Sequence, residues 1–286
     1  MLMKKLIINA DDFGIHETVS RGIIDGYRQG CISSTTLMAG ADGFEQAVAL
    51  AGNNPGLGLG VHLTLVGELP VAAPGTIASL VSQDGRLPLA YGRFLQQFLA
   101  GQIRLTDIRR ELEAQVQKVA DTGLRITHLD SHQHMHVVPQ IIDIVLDIAK
   151  HFQIKAIRIP AEPLWFFGGF PGTAGRVIGR GGLSVLAAIA RQKAKKAGIA
   201  TTGHFYGMLA GGHMNETYLL NIIKQLPYGT SELMLHPGLD DQAMTNAYGW
   251  KYHWQDEYQA VTGRRLADCL SQEKIELIHF GDLAHA

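Results

Sequence analysis

Cysteine is nearly absent: Cys31 and Cys269 are the only two in 286 residues. Two thiols build no disulfide framework in a chain this long, and a reducing cytoplasm is the expected compartment. No run of 18 apolar residues occurs, so no membrane-spanning helix is expected. Charge of one sign is also missing. Lys plus Arg number 25 and Asp plus Glu 26, a net of −1. Phosphate backbones demand a surplus of positive charge, so nucleic acid is not an expected partner. One absence is local: no Asp or Glu lies between Pro163 and Asn215, while Arg176, Arg180, Arg191, Lys193, Lys195 and Lys196 do.

What is present is a folding chain, 46% hydrophobic and 18% charged. Met1 to Gly14 reads as a buried first strand and not as a leader, because its apolar stretch is short and meets Asp11 and Asp12. Strand-like runs at 4–10, 33–39, 58–65, 124–129, 156–159, 232–235 and 275–280 alternate with helical periodicity at 17–30, 44–51, 107–122, 139–152, 216–226 and 256–274. Such alternation predicts a parallel sheet. About seven units fit a closed or nearly closed (β/α) barrel, an α/β fold forming one domain over 1–286. Two excursions, 66–106 and 165–202, interrupt it. The second is glycine-rich (Gly168, Gly169, Gly172, Gly175, Gly179, Gly181, Gly182) and then apolar from Leu183 to Ala190. It reads either as a loop with a solvated basic helix or as a lid meeting a membrane surface or a lipid-linked substrate.

The polar residues gather at the C-terminal ends of the expected strands. Asp11 and Asp12 follow the first; His62 ends Gly-Val-His-Leu; Asp130, His132, His134 and His136 follow Leu129; Arg158 and His236 end two more. In a (β/α) barrel those ends form one mouth, where active sites are built. Adjacent aspartates suit a cation for one and a proton for the other, or a helix cap. Were residues 128–136 extended, His128, Asp130, His132, His134 and His136 would share a face. Imidazole and carboxylate together suit zinc or a similar divalent ion, with Asp130 supporting a ligand from behind. Three protein ligands leave a coordination position open, which points to metal-assisted hydrolysis.

At these residues the sequence resembles the YdjC-like carbohydrate deacetylases. The landmarks are Asn-Ala-Asp-Asp-Phe-Gly (9–14), Ser-Ser-Thr-Thr (33–36), Gly-Val-His-Leu (60–63), Thr-His-Leu-Asp-Ser-His-Gln-His-Met-His (127–136), Arg-Ile-Pro (158–160) and Leu-His-Pro-Gly (235–238). The resemblance implies a NodB-like distorted barrel and removal of N-acetyl groups from amino sugars. It implies Asp12, His62 and His132 as ligands of zinc or magnesium, Asp11 as general base and His236 as proton donor or transition-state stabiliser. Arg158 is expected to assist catalysis, Asp130 and His134 to stand behind the ligands. A homodimer is expected as well. Arg-Ile-Pro-Ala-Glu-Pro (158–163) is similar to the hopanoid-associated branch, which implies a lipid-linked N-acetylglucosaminyl substrate; Asp-Ser-His-Gln-His (130–134) is closer to the branch acting on chitooligosaccharides. A phosphate-ester hydrolase and a non-catalytic sugar- or lipid-binding protein are the alternatives on the same barrel.

Overall fold

A computed structural model describes residues 3–170 and 173–285; Pro171 and Gly172, inside the second excursion, lie outside it. In chain order the elements are β1 (Lys4–Phe13), α1 (Glu17–Gln29), β2 (Ser34–Leu37), α2 (Phe44–Gly52), β3 (Gly58–Leu63), α3 (Tyr91–Leu99), α4 (Leu105–Ala120), β4 (Ile126–Ser131), α5 (Ile141–His151), β5 (Ala156–Ile157), α6 (Ala174–Ala197), β6 (His204–Tyr206), α7 (Glu216–Gln225), β7 (Gly229–Leu235), α8 (Asp241–Tyr248), α9 (Trp254–Thr262), α10 (Arg264–Gln272) and β8 (Ile275–Leu277).

All pairings are parallel, in the order β5-β4-β3-β2-β1-β7-β6, and β8 pairs with the start of β1. Helices therefore cover the outside, and the strands must be apolar on that face. From Leu6 to Phe13 every residue of β1 is buried. The sheet curls until β5 at one edge meets the segment leading into β6 at the other, at one bridge, Ala156 to Ala200, where the Ala200 amide donates to the Lys155 carbonyl at 2.8 Å. The result is a distorted (β/α) barrel. Inward residues alternate along each strand and stack in layers.

The sequence reading misplaces several elements. Residues 66–106 are not a bare loop. They contain α3, and Ile77, Leu80, Leu87 and Phe94 are buried in the main core. Glu111 and Gln115 on α4 pin this stretch by accepting from the Val71, Ala72 and Thr64 amides at 2.8–2.9 Å. The helix expected at 256–274 is two, broken at Gly263. β6 and α8 were not expected at all. The largest departure is α6, 24 residues of continuous helix despite four glycines. Arg180 anchors it from its buried side, donating to the carbonyls of Phe166 (2.6 Å) and Leu164 (2.8 Å).

Candidate active site

The polar strand ends converge because the ladder register sets them side by side. His62 lies opposite Asp130 across β3 and β4. Its Nδ1 stands 2.7 Å from Asp130 Oδ1 and 3.1 Å from Thr36 Oγ1. That contact calls for a proton on Nδ1 and turns Nε2 toward Asp12, 3.2 Å from its Oδ1. His132 reaches the same oxygen through Nδ1 at 3.1 Å.

Two backbone departures bring these groups together. Adjacent residues on an extended strand point to opposite faces. Asp12 escapes that rule by adopting φ 63°, a left-handed conformation that aspartate tolerates better than most residues. The register between β1 and β2 shifts there, and Asp11 and Asp12 both line the mouth. After Ser131 the strand ends. Residues 132–137 coil into a 3-10 turn with Gln133 and His134 at φ 53° and 57°. The extended-face expectation for 128–136 therefore fails beyond Ser131.

The consequences differ for each histidine. His132 turns to Asp12. His136 turns away, bonded to Ser131 Oγ (2.6 Å) and the Arg158 carbonyl (3.0 Å), and holds the turn. His134 packs edge-on against Phe205 and lines the cavity, with no hydrogen bond to Asp12, His62 or His132. His128 lies one inward layer below Asp130, at the base of the barrel.

Arg158 occupies the centre, fully buried. Its guanidinium grips Asp11 with two parallel bonds, Nη1 to Oδ2 at 2.6 Å and Nη2 to Oδ1 at 2.7 Å. Nη1 also lies 2.7 Å from Asp130 Oδ2, and Nε donates to Glu232 at 2.6 Å. Three buried carboxylates (Asp11, Asp130, Glu232) thus face one guanidinium, and a fourth, Asp12, lies beside His62 and His132. The imbalance is expressed in their protonation. Burial and the neighbouring carboxylates outweigh Arg158 at Glu232 and push it up to about 7. Burial alone would lower His62, yet Asp130 and Asp12 raise it to about 10. Burial opposes ionisation of Asp12 too, but His132 and His62 hold it well below the usual carboxylate range.

This arrangement fits a divalent cation. One donor atom from each of Asp12, His62 and His132 lies within 4.8 Å of the others. An ion among them would take the place of the His62 Nε2 proton and offset the surplus of buried negative charge. A carboxylate with two imidazoles is a zinc-like set; magnesium prefers oxygen throughout. Asp130 would hold His62 from behind, as metal-bound histidines usually require.

The cavity over these groups measures about 830 Å³. Asp11, Asp12, His62, His132 and His236 form its floor. Leu95 of α3 and Leu183 and Leu186 of α6 form an apolar wall. His236 ends β7. Its amide donates to buried Glu257 of α9, and its Nδ1 stands 3.8 Å from the same carboxylate. Sequence reasoning missed Glu232, Glu257 and an aromatic run near the mouth, in which Trp250 stacks on His132 at 5.5 Å and Tyr252 lies between Trp250 and His236. Glu232 carried a readable signal, a lone acid inside an apolar strand. Glu257 sits in an ordinary amphipathic helix and carried none.

The YdjC-like protein model matches residues 5–272. A carbohydrate deacetylase of Brevibacillus brevis is 32% identical over 98% of this chain and 99% of its own length. A carbohydrate deacetylase of Listeria monocytogenes is 31% identical over 98% and 100%. The crystal structure of an Enterococcus faecalis protein ascribed to cellobiose-phosphate cleavage superposes with a TM-score of 0.77 at 22% identity, covering 99% of each chain, and has the same fold.

Proposed function

The chain belongs to the YdjC-like protein family, and on that footing we propose that it is a metal-dependent hydrolase removing an N-acetyl group from an amino sugar. One observation carries this reading: a buried two-histidine, one-carboxylate donor set shares a cavity with a separate carboxylate and a separate imidazole. A divalent cation held by Asp12, His62 and His132, zinc in preference to magnesium, would supply Lewis acidity toward the amide carbonyl.

The chain's own groups do the rest. Asp11 takes a proton from the attacking water through its carboxylate. Arg158 holds both oxygens of that carboxylate in place, so the base is oriented before substrate arrives. Glu232 and Asp130 in turn fix Arg158. His236, at the opposite strand end and tied to Glu257 through its amide, delivers a proton to the departing amine. Trp250 and Tyr252 wall the pocket with flat apolar surface suited to a sugar ring.

A lipid-linked amino sugar, of the N-acetylglucosaminyl hopanoid kind, fits the outer half of the cavity better than a free chitooligosaccharide. Exposed large apolar side chains concentrate on the two segments that wall it: Leu89, Tyr91 and Leu99 around α3, and Leu164, Trp165, Ile178, Val185 and Ile189 on and before α6. Patches of this kind mark lipid or partner contacts. Among the described residues no helix is long and apolar enough to span a bilayer, so contact with the inner face of a membrane would be peripheral. A cytoplasmic homodimer completes the proposal.

The test is acetate release by zinc-loaded protein, given an N-acetylglucosaminyl lipid in one reaction and diacetylchitobiose in another. Acetate from the lipid is the expected result. Acetate from the soluble sugar alone removes the lipid part and keeps the chemistry. Phosphate release from an ester, with acetate from neither, would replace the reaction. Asp11→Asn should retain bound zinc and lose roughly 10³-fold in kcat; full activity in that variant would end the base assignment.

A further inference from the structure

The seam that closes the barrel is a basic corner of the molecule, lined by none of the residues that line the catalytic cavity. Beside the Ala156–Ala200 bridge lies a second cavity of about 480 Å³, lined by Lys155, Arg191, Lys195, Thr201 and Leu283 with residues 198–200. Among the described residues no Asp or Glu stands within 4 Å of the three cationic groups, whereas the adjacent Lys193 pairs with Asp143 at 2.7 Å. Arg109, Arg104 and Arg265 likewise have carboxylate partners. Among the described residues, three cations without a carboxylate partner thus line one cavity.

Arg191 is the informative member. It is half-buried, and that burial pulls its guanidinium below its ordinary value. One N–H is bonded to the Gly203 carbonyl at 2.8 Å, which leaves most of the fork unused. Its charge reaches the start of β6, where burial and then Arg191 depress His204. The negative end of α6 explains Lys195, which sits in the last turn. It does not explain Arg191, one turn earlier, nor Lys155, which precedes β5. Three like charges around one hollow repel each other, and a bound anion would relieve them.

We propose that this seam cavity binds a phosphoryl group. Arg191 offers a planar fork to two of its oxygens, Lys155 and Lys195 offer point charges, and the Thr201 hydroxyl is a further donor. The hollow exceeds a bare oxyanion and falls within the range of ligand pockets, so the ligand is a phosphate ester. A soluble phosphate monoester and a phospholipid headgroup share that chemistry. The site is independent of the deacetylation proposed above and stands or falls without it.

The experiment is thermal unfolding of the full chain titrated with glycerol 3-phosphate, against sodium chloride at matched ionic strength. A parallel arm measures cosedimentation with phosphatidylcholine vesicles, with and without phosphatidic acid. A saturable rise in Tm of about 5 °C is expected with the phosphate ester and not with chloride. Lys155→Gln, at an exposed side chain with no hydrogen bond or ion pair among the described residues, should keep the ligand-free Tm and abolish the response; Arg191→Gln should abolish it too. Stabilisation by glycerol 3-phosphate that Lys155→Gln removes supports a soluble ligand. Binding only to phosphatidic acid vesicles, removed by the same variant, supports a headgroup. No response to either probe, or a response that Lys155→Gln leaves intact, overturns the site.

Discussion

Two buried histidines on neighbouring strands meet opposite fates. His62 on β3 and His128 on β4 both point into the barrel, and both are nearly inaccessible, at 1% and 0% exposure. Burial pushes each imidazole toward neutrality. At His128 burial prevails and takes it down to about 3. At His62 two carboxylates prevail and carry it to about 10. One layer of the barrel separates them. His128 stacks on Phe280 at 3.8 Å, and its ring fills the space over Gly60, where any Cβ would collide with it. His62 sits where β1, β2 and β4 deliver Asp12, Thr36 and Asp130. A buried histidine is thus packing or chemistry according to its layer, and residue type alone does not say which.

Removing the upper histidines should give the largest effects. His62→Ala or His132→Ala should abolish tight zinc binding and lower kcat/KM by on the order of 10³ or more, since the cation is worth several kcal/mol of charge stabilisation. Zinc content by atomic absorption, alongside acetate release, checks this. If His62→Ala keeps its zinc, the upper layer is no more a metal site than the lower one. Asp130→Asn is the milder version. It leaves the three donors in place and replaces the charged carboxylate behind His62 with a neutral amide, a weaker acceptor, so zinc affinity should fall about 10- to 100-fold in a chelator competition. An unchanged affinity would show that the β3–β4 register does not serve the metal.

The barrel and its mouth were legible because two regularities carry across the whole chain. Buried parallel strands read as short apolar runs, and chemistry falls at their C-terminal ends. That is why Asp11, Asp12, His62, His132 and His236 could be assigned to one mouth from positions far apart in sequence, whereas the choice of Asp12, His62 and His132 as ligands rested on the family resemblance. His134 shows the limit. Its neighbours suggest an extended strand, and only the left-handed turn at Gln133 and His134 sends it to another wall. Neither residue is glycine, so the sequence carries no sign of the turn. α6 was hard to read for the opposite reason. Four glycines lower helix propensity by about 1 kcal/mol each, and what holds the helix is tertiary: Arg180 on the 164–166 carbonyls and Arg176 on the Leu209 carbonyl.

The lower layer supplies the smallest and sharpest contrast. The His128 pKa is depressed in the folded state, so the unfolded chain binds the extra proton first as pH falls. Its contribution to stability is complete above about pH 6.5 and is lost progressively as pH falls from there toward 3. Between pH 7.5 and 5 this loss amounts to about 2 kcal/mol. His128→Phe keeps a flat ring against Phe280 and removes the titration, along with a buried Nε2 that has no partner. The variant should lose about 2 kcal/mol less stability than the parent across that interval, measured by urea unfolding of the metal-free proteins at both pH values. Its zinc affinity and turnover at pH 7.5 should match the parent's. Equal pH dependence in the two proteins would mean that the base of the barrel holds a charged imidazole as readily as water does, and the distinction between the layers would collapse.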